Sequence, residues 1–275
     1  MSELGPGSTF IQAGGVRLHY NDIGAGPPVV CLHGGGPGAS GWSNFGQNVA
    51  ALSTKYRLLL LDMPQFGASE KVVIKEGRLT YVARVLNDYL DKLGLAKAHI
   101  VGNSMGAQTA FKFAIDYPAR IDRLVAMGNG SITQTVFTPR PTEGVKMIHG
   151  FYRGAGPTRE KLRRLIETLV FDASFLTEEL LEQRFAAANA PEAVELWSKN
   201  PPPNEDIMQQ LGKVLCPTLL VWGIEDRFAP IEGGLAQLKR LKDARLHVFA
   251  QCGHWAQVER AREFEQLVLG FLGGG

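Results

Sequence analysis

Cysteine is scarce in this 275-residue chain, which has three, at Cys31, Cys216 and Cys252. An odd set without a C-x-x-C pair predicts neither a disulfide framework nor a zinc site. It fits a reducing compartment, so we expect a cytoplasmic protein. The histidines and acidic residues show no metal-ligand spacing, and no metal is expected.

Long apolar runs are also missing, since no segment approaches the roughly 20 residues that span a bilayer. Residues 1–10 show no basic stretch followed by an apolar one, so we expect neither a membrane partner nor an export signal. The excess of one charge is small, with 29 Lys plus Arg against 27 Asp plus Glu. Because phosphate backbones are bound by a concentrated basic surplus, nucleic acid is not an expected partner.

The first half of the chain alternates strand and helix patterns. Two β-prone runs, 9–13 and 16–22, flank Gly14-Gly15, a two-residue hairpin signal. The continuous apolar runs 29–32 and 58–61 are typical of parallel strands covered by helices on both faces. The alternation continues with a helix from an N-cap at Thr80 to Gly94, a strand over 99–103, a helix over 105–117 and a strand over 123–127.

The middle of the chain differs, because residues 131–204 contain no strand pattern. Amphipathic helices are predicted at 158–171 and 177–188, and Pro201-Pro202-Pro203 ends the region. The alternation then resumes with strands at 218–222 and 246–249 and helices near 235–241 and 259–272. We therefore predict an α/β core formed by residues 1–130 and 205–275, with a mostly parallel sheet, and an inserted helical cap over 131–204.

The sharpest local motif is Gly102-Asn103-Ser104-Met105-Gly106, a G-x-S-x-G between a strand and a helix. This is the context of a nucleophile elbow, in which a tight turn exposes the serine hydroxyl. A serine that merely caps the helix is the alternative. The pentapeptide alone does not separate these interpretations, so the partners of Ser104 decide.

A serine hydroxyl needs a base, and the base needs an acid that fixes its tautomer. Asp226 and His254 follow Ser104 in the order acid then histidine, each just beyond a predicted strand. In open α/β sheets, sites form at those strand ends. Glu225 is the competing acid, and a turn or surface role is the alternative for Asp226. The alternative for His254 is a structural role, either in the core or at a helix terminus.

The reaction of such a serine also needs N–H donors for the developing oxyanion. In an elbow of this kind one donor is the residue after the nucleophile, Met105, and the second comes from the loop after the third strand. Gly35, within the glycine-rich run from His33 to Gly38, is the predicted second donor. The same region contains a competing pattern, G-x-G-x-x-G at 36–41 with Asp62 as a ribose-binding acid, but Pro37 and the preceding hairpin argue against a dinucleotide site.

Three segments resemble the meta-cleavage product hydrolases of the α/β-hydrolase fold, especially the enzymes of biphenyl-type aromatic degradation. These segments are His33 to Asn44, Gly102 to Gly106, and Cys252 to Gln257, and the likeness extends over nearly the whole chain. The resemblance implies hydrolysis of the C5–C6 bond of 2-hydroxy-6-oxo-hexa-2,4-dienoates, without a cofactor. One departure is Ala107, where the family usually has a glycine.

The resemblance also implies roles for individual residues. It implies Ser104, Asp226 and His254 as a catalytic triad, and the amides of Gly35 and Met105 as oxyanion donors. It implies binding of the small-molecule dienoate by four further residues: Asn44, Asn103, Arg184 and Trp255. An arginine suits a carboxylate ligand, although a surface arginine paired with Glu179 or Glu182 is the alternative for Arg184.

Several functions remain open at this point. The same triad serves a carboxylesterase, an imino-peptidase or another serine hydrolase, and a ligand-binding receptor with vestigial turnover also keeps the fold. Dehalogenase and epoxide hydrolase chemistry is disfavoured because Ser104 stands where those reactions use a carboxylate. Met147, Ile148, Phe151, Leu165, Leu169 and Phe171 either line a pocket for the C6 substituent or form the core of the cap. Relatives of this kind often assemble, so a homo-oligomer is compatible with the resemblance.

Overall fold

The computed structural model describes residues 4–129, 137–199, 203 and 205–274. Positions 131 and 204, the predicted limits of the inserted region, lie outside the described residues, as do Pro201 and Pro202. The described chain forms eight strands: β1 (Ser8–Ala13), β2 (Val16–Ile23), β3 (Pro28–Leu32), β4 (Arg57–Leu61), β5 (Ala98–Asn103), β6 (Ile121–Met127), β7 (Thr218–Gly223) and β8 (Ala244–Phe249).

The described residues also form eleven α-helices, six of them short. They are α1 (Gly41–Phe45), α2 (Val49–Leu52), α3 (Arg78–Lys92), α4 (Met105–Asp116), α5 (Glu143–Phe151), α6 (Arg159–Leu169), α7 (Glu178–Ala188), α8 (Pro191–Lys199), α9 (Ile231–Leu238), α10 (Ala256–Glu259) and α11 (Ala261–Leu272).

All eight strands lie in one sheet, in the order β1-β2-β4-β3-β5-β6-β7-β8. β1 and β2 pair antiparallel across Gly14-Gly15, and both glycines have positive φ, as a primed hairpin turn requires. β2 also runs antiparallel to β4, and the remaining pairs are parallel. The predicted hairpin and the predicted α/β class with a mostly parallel sheet are both confirmed.

The two faces of the sheet explain the unbroken apolar runs. Along β3, Val30 and Leu32 belong to one apolar cluster, with α3 and α4, whereas Val29 and Cys31 belong to the other, with α11. Successive side chains in a strand point to opposite faces. Each strand must therefore be apolar at every position when helices cover both faces.

Helices α5 to α8 all lie between β6 and β7, and the described part of that stretch contains no strand. They enclose a third apolar cluster, which includes Phe151, Leu162, Leu165 and Leu181 and reaches Trp255 in the α/β part. Thr142, Thr158 and Thr177 cap α5, α6 and α7 by accepting a backbone N–H in the first turn. The helices predicted at 158–171 and 177–188 are thus present, each beginning one residue after its threonine.

Three predicted helix limits are wrong. Thr80 is not an N-cap, because α3 begins at Arg78. The N–H and hydroxyl of Thr80 instead donate to the Glu205 carboxylate, at 2.9 and 2.5 Å, so a side chain from a distant loop satisfies the helix terminus. α9 begins at Ile231 and ends at Leu238, and the single helix predicted over 259–272 is interrupted at Arg260.

Among the described residues, no helix combines the length and apolarity needed to cross a bilayer. The three cysteines are buried and free. No group of three or more metal-ligating side chains converges within the described chain.

Candidate active site

Ser104 lies in a strained turn between β5 and α4. Its φ is 53°, in the left-handed region that residues with a side chain rarely adopt, and its N–H donates to the Met127 carbonyl at 2.7 Å. A Cβ at Gly106 would lie 2.1 Å from the Leu32 carbonyl oxygen, and one at Gly102 would lie 2.7 Å from the Ala107 nitrogen. The flanking glycines therefore allow α4 to approach the sheet closely and hold Ser104 at its edge.

His254 and Asp226 form a buried hydrogen-bonded pair beyond the ends of β8 and β7. The distance from His254 Nδ1 to Asp226 Oδ2 is 2.7 Å. The other carboxylate oxygen of Asp226 accepts the N–H groups of Phe228 and Ala229, at 2.8 and 2.7 Å. Both acceptor atoms of Asp226 are thus occupied, which fixes its orientation and favours the tautomer of His254 with the proton on Nδ1.

Glu225, the competing acid, has a different partner. Its carboxylate accepts the N–H of Cys252 at 3.0 Å and so supports the loop that carries His254. The two neighbouring acids therefore contact different residues of one loop: Glu225 contacts Cys252, and Asp226 contacts the imidazole of His254.

Ser104 and His254 line the same narrow cleft, together with Gly34, Gly35 and Asn103. The cleft holds about 10 Å³, roughly the space of one water molecule. No hydrogen bond joins the Ser104 hydroxyl to His254 among the described residues. Hydrogen bonds between a nucleophile and its base often tighten only when substrate is bound.

Two backbone N–H groups are candidates for the oxyanion donors: that of Gly35, which lines the cleft, and that of Met105, which follows Ser104. The N–H of Met105 is in the first turn of α4, where no carbonyl of the helix can accept it. Gly35 is close by, since a Cβ added to it would lie 3.1 Å from the Met105 sulfur. Neither N–H donates to another group in the described residues. Both are available to an oxyanion formed beside Ser104.

His33 holds the glycine loop in place. One ring nitrogen, Nδ1, is 2.8 Å from the Gly34 carbonyl, and the other accepts the N–H of Met63 at 3.1 Å. Burial lowers the pKa of His33, so the ring stays neutral, as these two contacts require. The sequence motif contained this residue, but its role as a support for Gly35 was not predicted.

Arg184 is a buried cation in contact with the cleft. Its guanidinium carbon lies 4.9 Å from the centre of the Trp255 ring, and its Nε has no hydrogen-bond partner. No carboxylate among the described residues pairs with it. Glu182, the alternative partner, binds Arg159 at 3.0 Å. Burial lowers the pKa of Arg184 to about 10.

The two asparagines both line the cleft but have different hydrogen-bond partners. Asn44 Oδ1 accepts a hydrogen bond from the Gln257 side chain at 3.3 Å. The Nδ2 group of Asn44 therefore remains available to a ligand in the cleft. Asn103 is fully buried, and its Nδ2 donates to the His254 carbonyl at 3.2 Å. Its Oδ1 has no partner. Asn103 therefore also positions the loop of His254.

Two larger cavities flank the cleft. One, of about 470 Å³, shares Asn44, Arg184 and Trp255 with it. The other, of about 640 Å³, shares Gly35, Ala39 and Ile148. The cleft with Ser104 thus adjoins a cavity that contains Arg184 and a second cavity that contains Gly35, and the two cavities also share Gly38, Gly67 and Ala187. An extended ligand can occupy both.

Asp62, the acid of the competing dinucleotide pattern, belongs to a second serine–histidine–aspartate arrangement. Asp62 Oδ2 is 2.8 Å from His19 Nδ1, and His19 Nε2 is 2.9 Å from the Ser8 hydroxyl. The carboxylate also accepts the N–H groups of Gly41 and Ala68. Asp62 is thus held by His19, Gly41 and Ala68, a structural role that the dinucleotide pattern did not indicate.

Several contacts that hold His254 and its loop in place could not be predicted from the sequence pattern. The His254 N–H donates to the Leu169 carbonyl at the end of α6, at 2.6 Å. The Glu259 carboxylate accepts the N–H groups of Gly253 and Phe171, at 2.9 and 2.6 Å. A Cβ at Gly128 would lie 2.8 Å from the imidazole, so that position has to be glycine.

The apolar residues singled out between 147 and 171 separate into groups. Ile148 and Leu169 line the cleft, and Phe151 and Leu165 are in the core of the helical region. Phe171, in contrast, is 52% exposed, so it does not line a pocket. Its N–H is the group that Glu259 holds.

Comparison with known proteins gives consistent similarities. The profile of the alpha/beta hydrolase fold family matches residues 27–261. A 2-hydroxy-6-oxononadienedioate/2-hydroxy-6-oxononatrienedioate hydrolase of Paraburkholderia phymatum is 44% identical over 265 residues, 94% of this chain and 91% of that protein. A 2-hydroxy-6-oxo-6-phenylhexa-2,4-dienoate hydrolase of Comamonas testosteroni is 43% identical, over 93% of this chain and 91% of that protein. A solved meta-cleavage product hydrolase from Pseudomonas fluorescens IP01 has a TM-score of 0.86 at 32% identity, covering 96% of this chain and 97% of its own.

Proposed function

Because this chain belongs to the alpha/beta hydrolase fold family and, within it, to the meta-cleavage product hydrolases, we propose that it cleaves the C5–C6 bond of a 2-hydroxy-6-oxo-hexa-2,4-dienoate. The products are 2-hydroxypenta-2,4-dienoate and the carboxylic acid that contains C6. The two relatives act on substrates that differ at C6, one with a second carboxylate and one with a phenyl group. Ser104, His254 and Asp226 are the catalytic residues of this proposal.

The division of the chain follows from the same proposal. Residues 1–130 and 205–275 form the hydrolase core, and 131–204 form the cap, which contains helices α5 to α8. Ile148 of α5, Leu169 of α6 and Arg184 of α7 line the cleft that contains Ser104. Substrate is therefore bound between the cap and the core, where water is excluded and electrostatic interactions are strengthened.

One observation carries the assignment of substrate class, namely the buried Arg184 without a counter-ion beside the cleft. A buried unpaired charge is costly, so an anion of the substrate stabilises it. A dienoate brings that anion in the form of its C1 carboxylate, which a guanidinium can bind through two hydrogen bonds. Asn44, Asn103 and Trp255 surround the same position and bind the carboxylate and the 2-oxo group.

The proposed reaction consumes one water molecule and needs no cofactor. Proton transfer from the 2-hydroxyl to C5, in net terms, converts the dienol into a 2,6-dioxo intermediate. Ser104, or a water molecule, then gives its proton to His254 Nε2 and adds to C6, and the amides of Gly35 and Met105 stabilise the oxyanion. The C5–C6 bond breaks, and its electrons leave with C5 as a dienolate conjugated to the 2-oxo group. Return of the proton completes the hydroxypentadienoate, and water releases any acyl group from Ser104.

A spectrophotometric assay tests this function directly. The conjugated dienoate absorbs visible light and its products do not, so we expect the absorbance of phenyl- and methyl-substituted dienoates to disappear over many turnovers. Ser104→Ala is the matched control and should leave the absorbance in place. Rapid hydrolysis of simple carboxylesters with no loss of dienoate absorbance would identify an esterase instead, and a single turnover would identify a receptor.

A further inference from the structure

The backbone of the loop that carries His254 is held by acceptors from two other parts of the chain. The N–H of Gly253 donates to the Glu259 carboxylate at 2.9 Å. The N–H of His254 donates to the Leu169 carbonyl at 2.6 Å. Because two successive N–H groups are fixed in this way, the place of the imidazole depends on where these two acceptors lie.

Glu259 is the last residue of α10, six residues after Gly253. Its own N–H donates to the Trp255 carbonyl at 2.9 Å, and its carboxylate reaches back to the N–H of Gly253. The segment 253–259 is therefore a ring closed by the Glu259 side chain, and His254 lies within that ring. A shift of the carboxylate has to move the backbone of the proposed base.

The second carboxylate oxygen of Glu259 contacts the cap. It accepts the N–H of Phe171 at 2.6 Å and that of Asp172 at 3.3 Å, just beyond the end of α6. A Cβ on Gly253 would lie 2.6 Å from the Leu169 carbonyl oxygen, so the loop and the cap are in direct backbone contact. One carboxylate thus joins the end of α6 to the loop of His254.

Backbone N–H groups, and no cation of the described chain, neutralise the charge of Glu259. The neighbouring Arg260 pairs instead with Glu263, at 3.9 Å. Burial raises the pKa of the Glu259 carboxyl, and the N–H groups that it accepts oppose that rise. Hydrogen bonds to an ionised acceptor are shorter and stronger than those between neutral groups. An uncharged side chain at position 259 would therefore hold the loop less firmly.

We propose that Glu259 is a positioning residue, which joins the cap to the loop of His254 and thereby sets the distance from the imidazole to Ser104. Proton transfer from Ser104 requires that distance to be correct within a fraction of an ångström. Glu259 itself touches neither substrate nor the reacting atoms in this proposal. The inference rests on the proposed function, because it takes His254 as the base.

Glu259→Gln tests the contact from the side of the core. The substitution keeps the size of the side chain but removes its charge, and the new amide nitrogen has no acceptor capacity for one of the N–H groups. We expect kcat on a dienoate to fall by about 10- to 100-fold, as for reacting groups displaced by about 1 Å. KM should stay within about 3-fold, because Arg184 lies outside this contact. Glu263→Gln, the same change on an exposed carboxylate, should keep both constants.

Phe171→Pro tests the same contact from the side of the cap. Proline lacks the N–H that Glu259 accepts, and the preceding Val170 is extended, with φ −117° and ψ 157°, as a residue before proline should be. We expect kcat to fall as in Glu259→Gln. Phe171→Ala removes the same exposed ring but keeps the N–H, so it is the matched control and should keep wild-type kcat.

The double variant shows whether the two single variants act on one contact. Glu259→Gln combined with Phe171→Pro should lower kcat by less than the product of the single losses, because both changes break the same hydrogen bond. Two independent losses that multiply would overturn the inference. Wild-type kcat in a folded Glu259→Gln with only a lower Tm, or a rise in KM as large as the fall in kcat, would also overturn it.

Two further results are decided by the same set of variants. If Glu259→Gln does not fold, the comparison of Phe171→Pro with Phe171→Ala decides, and equal kcat in these two would overturn the inference. A wild type that hydrolyses carboxylesters but no dienoate would refute the proposed function. The same variants measured with the ester would then decide the role of Glu259, since His254 is the base in both reactions.

Discussion

The described residues contain two serine–histidine–aspartate arrangements, and the one we propose as catalytic differs from the other in its surroundings. Ser104, His254 and Asp226 lie at the carboxyl edge of the sheet, whereas Ser8, His19 and Asp62 lie at its antiparallel end. The histidine–aspartate distances are nearly equal, at 2.7 and 2.8 Å. The second arrangement even has the serine–histidine hydrogen bond, at 2.9 Å, which the first lacks.

The two arrangements differ in the structure that surrounds each serine. Ser104 has a strained backbone, a cleft in front of it and two unused N–H donors. Ser8 is in the regular edge strand β1, whose amides pair with β2. Asp62 meanwhile connects β4, the start of α1 and the loop at Ala68. Residue types and distances are thus insufficient to identify a nucleophile, because catalysis also needs a presented hydroxyl and preorganised donors.

The largest expected effect is that of removing the Ser104 hydroxyl. Ser104→Ala should reduce kcat on a dienoate by more than about 10,000-fold, because the nucleophile or its water loses its partner. Bound dienoate should still show a shifted absorbance spectrum. Ser8→Ala, assayed in parallel, should keep wild-type kcat. A similar loss in both variants would remove the distinction between the two arrangements.

The two aspartates provide the next comparison. Asp226→Asn should lower kcat by about 1,000- to 10,000-fold, because the amide favours the wrong tautomer of His254, with little change in Tm. Asp62→Asn should keep kcat but lose about 2–4 kcal/mol of unfolding free energy through unpaired N–H groups, which is roughly 5–15 °C in Tm. Steady-state kinetics and thermal unfolding of both variants check this, and an exchange of the two outcomes would contradict it.

Much of the catalytic arrangement was predictable from the sequence, but much of its support was not. The order of Ser104, Asp226 and His254 along the chain, and the glycines next to them, can be read directly from the sequence. The choice of Asp226 over Glu225, the cap on α3 from Glu205, and the bond from Leu169 to His254 depend on how distant segments pack. No periodicity in the sequence encodes such contacts, and for the same reason the isolated pattern at 36–41 was misleading.

We expect the carboxylate of the substrate to be bound beside Ser104, His254 and Asp226, and not by the arrangement of Ser8, His19 and Asp62. Arg184→Met should raise KM for a dienoate by about 10- to 100-fold through loss of a charge-assisted hydrogen bond, with a smaller rise for Arg184→Lys. Adding Asp62→Asn to Arg184→Met should change KM no further, since the Asp62 carboxylate is hydrogen-bonded to His19, Gly41 and Ala68. An additional rise in KM in the double variant would show that the second arrangement also contacts substrate.

The smallest expected effect is on the stability of Ser8→Ala. The hydroxyl is exposed and makes one hydrogen bond to His19, so its removal should cost about 0.5–1 kcal/mol. Urea unfolding with an unchanged m-value would measure this. A cost as large as that of Asp62→Asn would mean that the serine, rather than the aspartate, holds the antiparallel end together.

The hydrogen bond from His254 to Leu169 has a consequence for engineering this enzyme. The proposed base takes its backbone position partly from Leu169, the last residue of α6, and Glu259 joins Phe171, two residues further on, to the same loop. A chimera that transplants a foreign cap to broaden the substrate range would therefore also reposition the imidazole. Such grafts should carry over the 169–172 junction together with its acceptor at position 259.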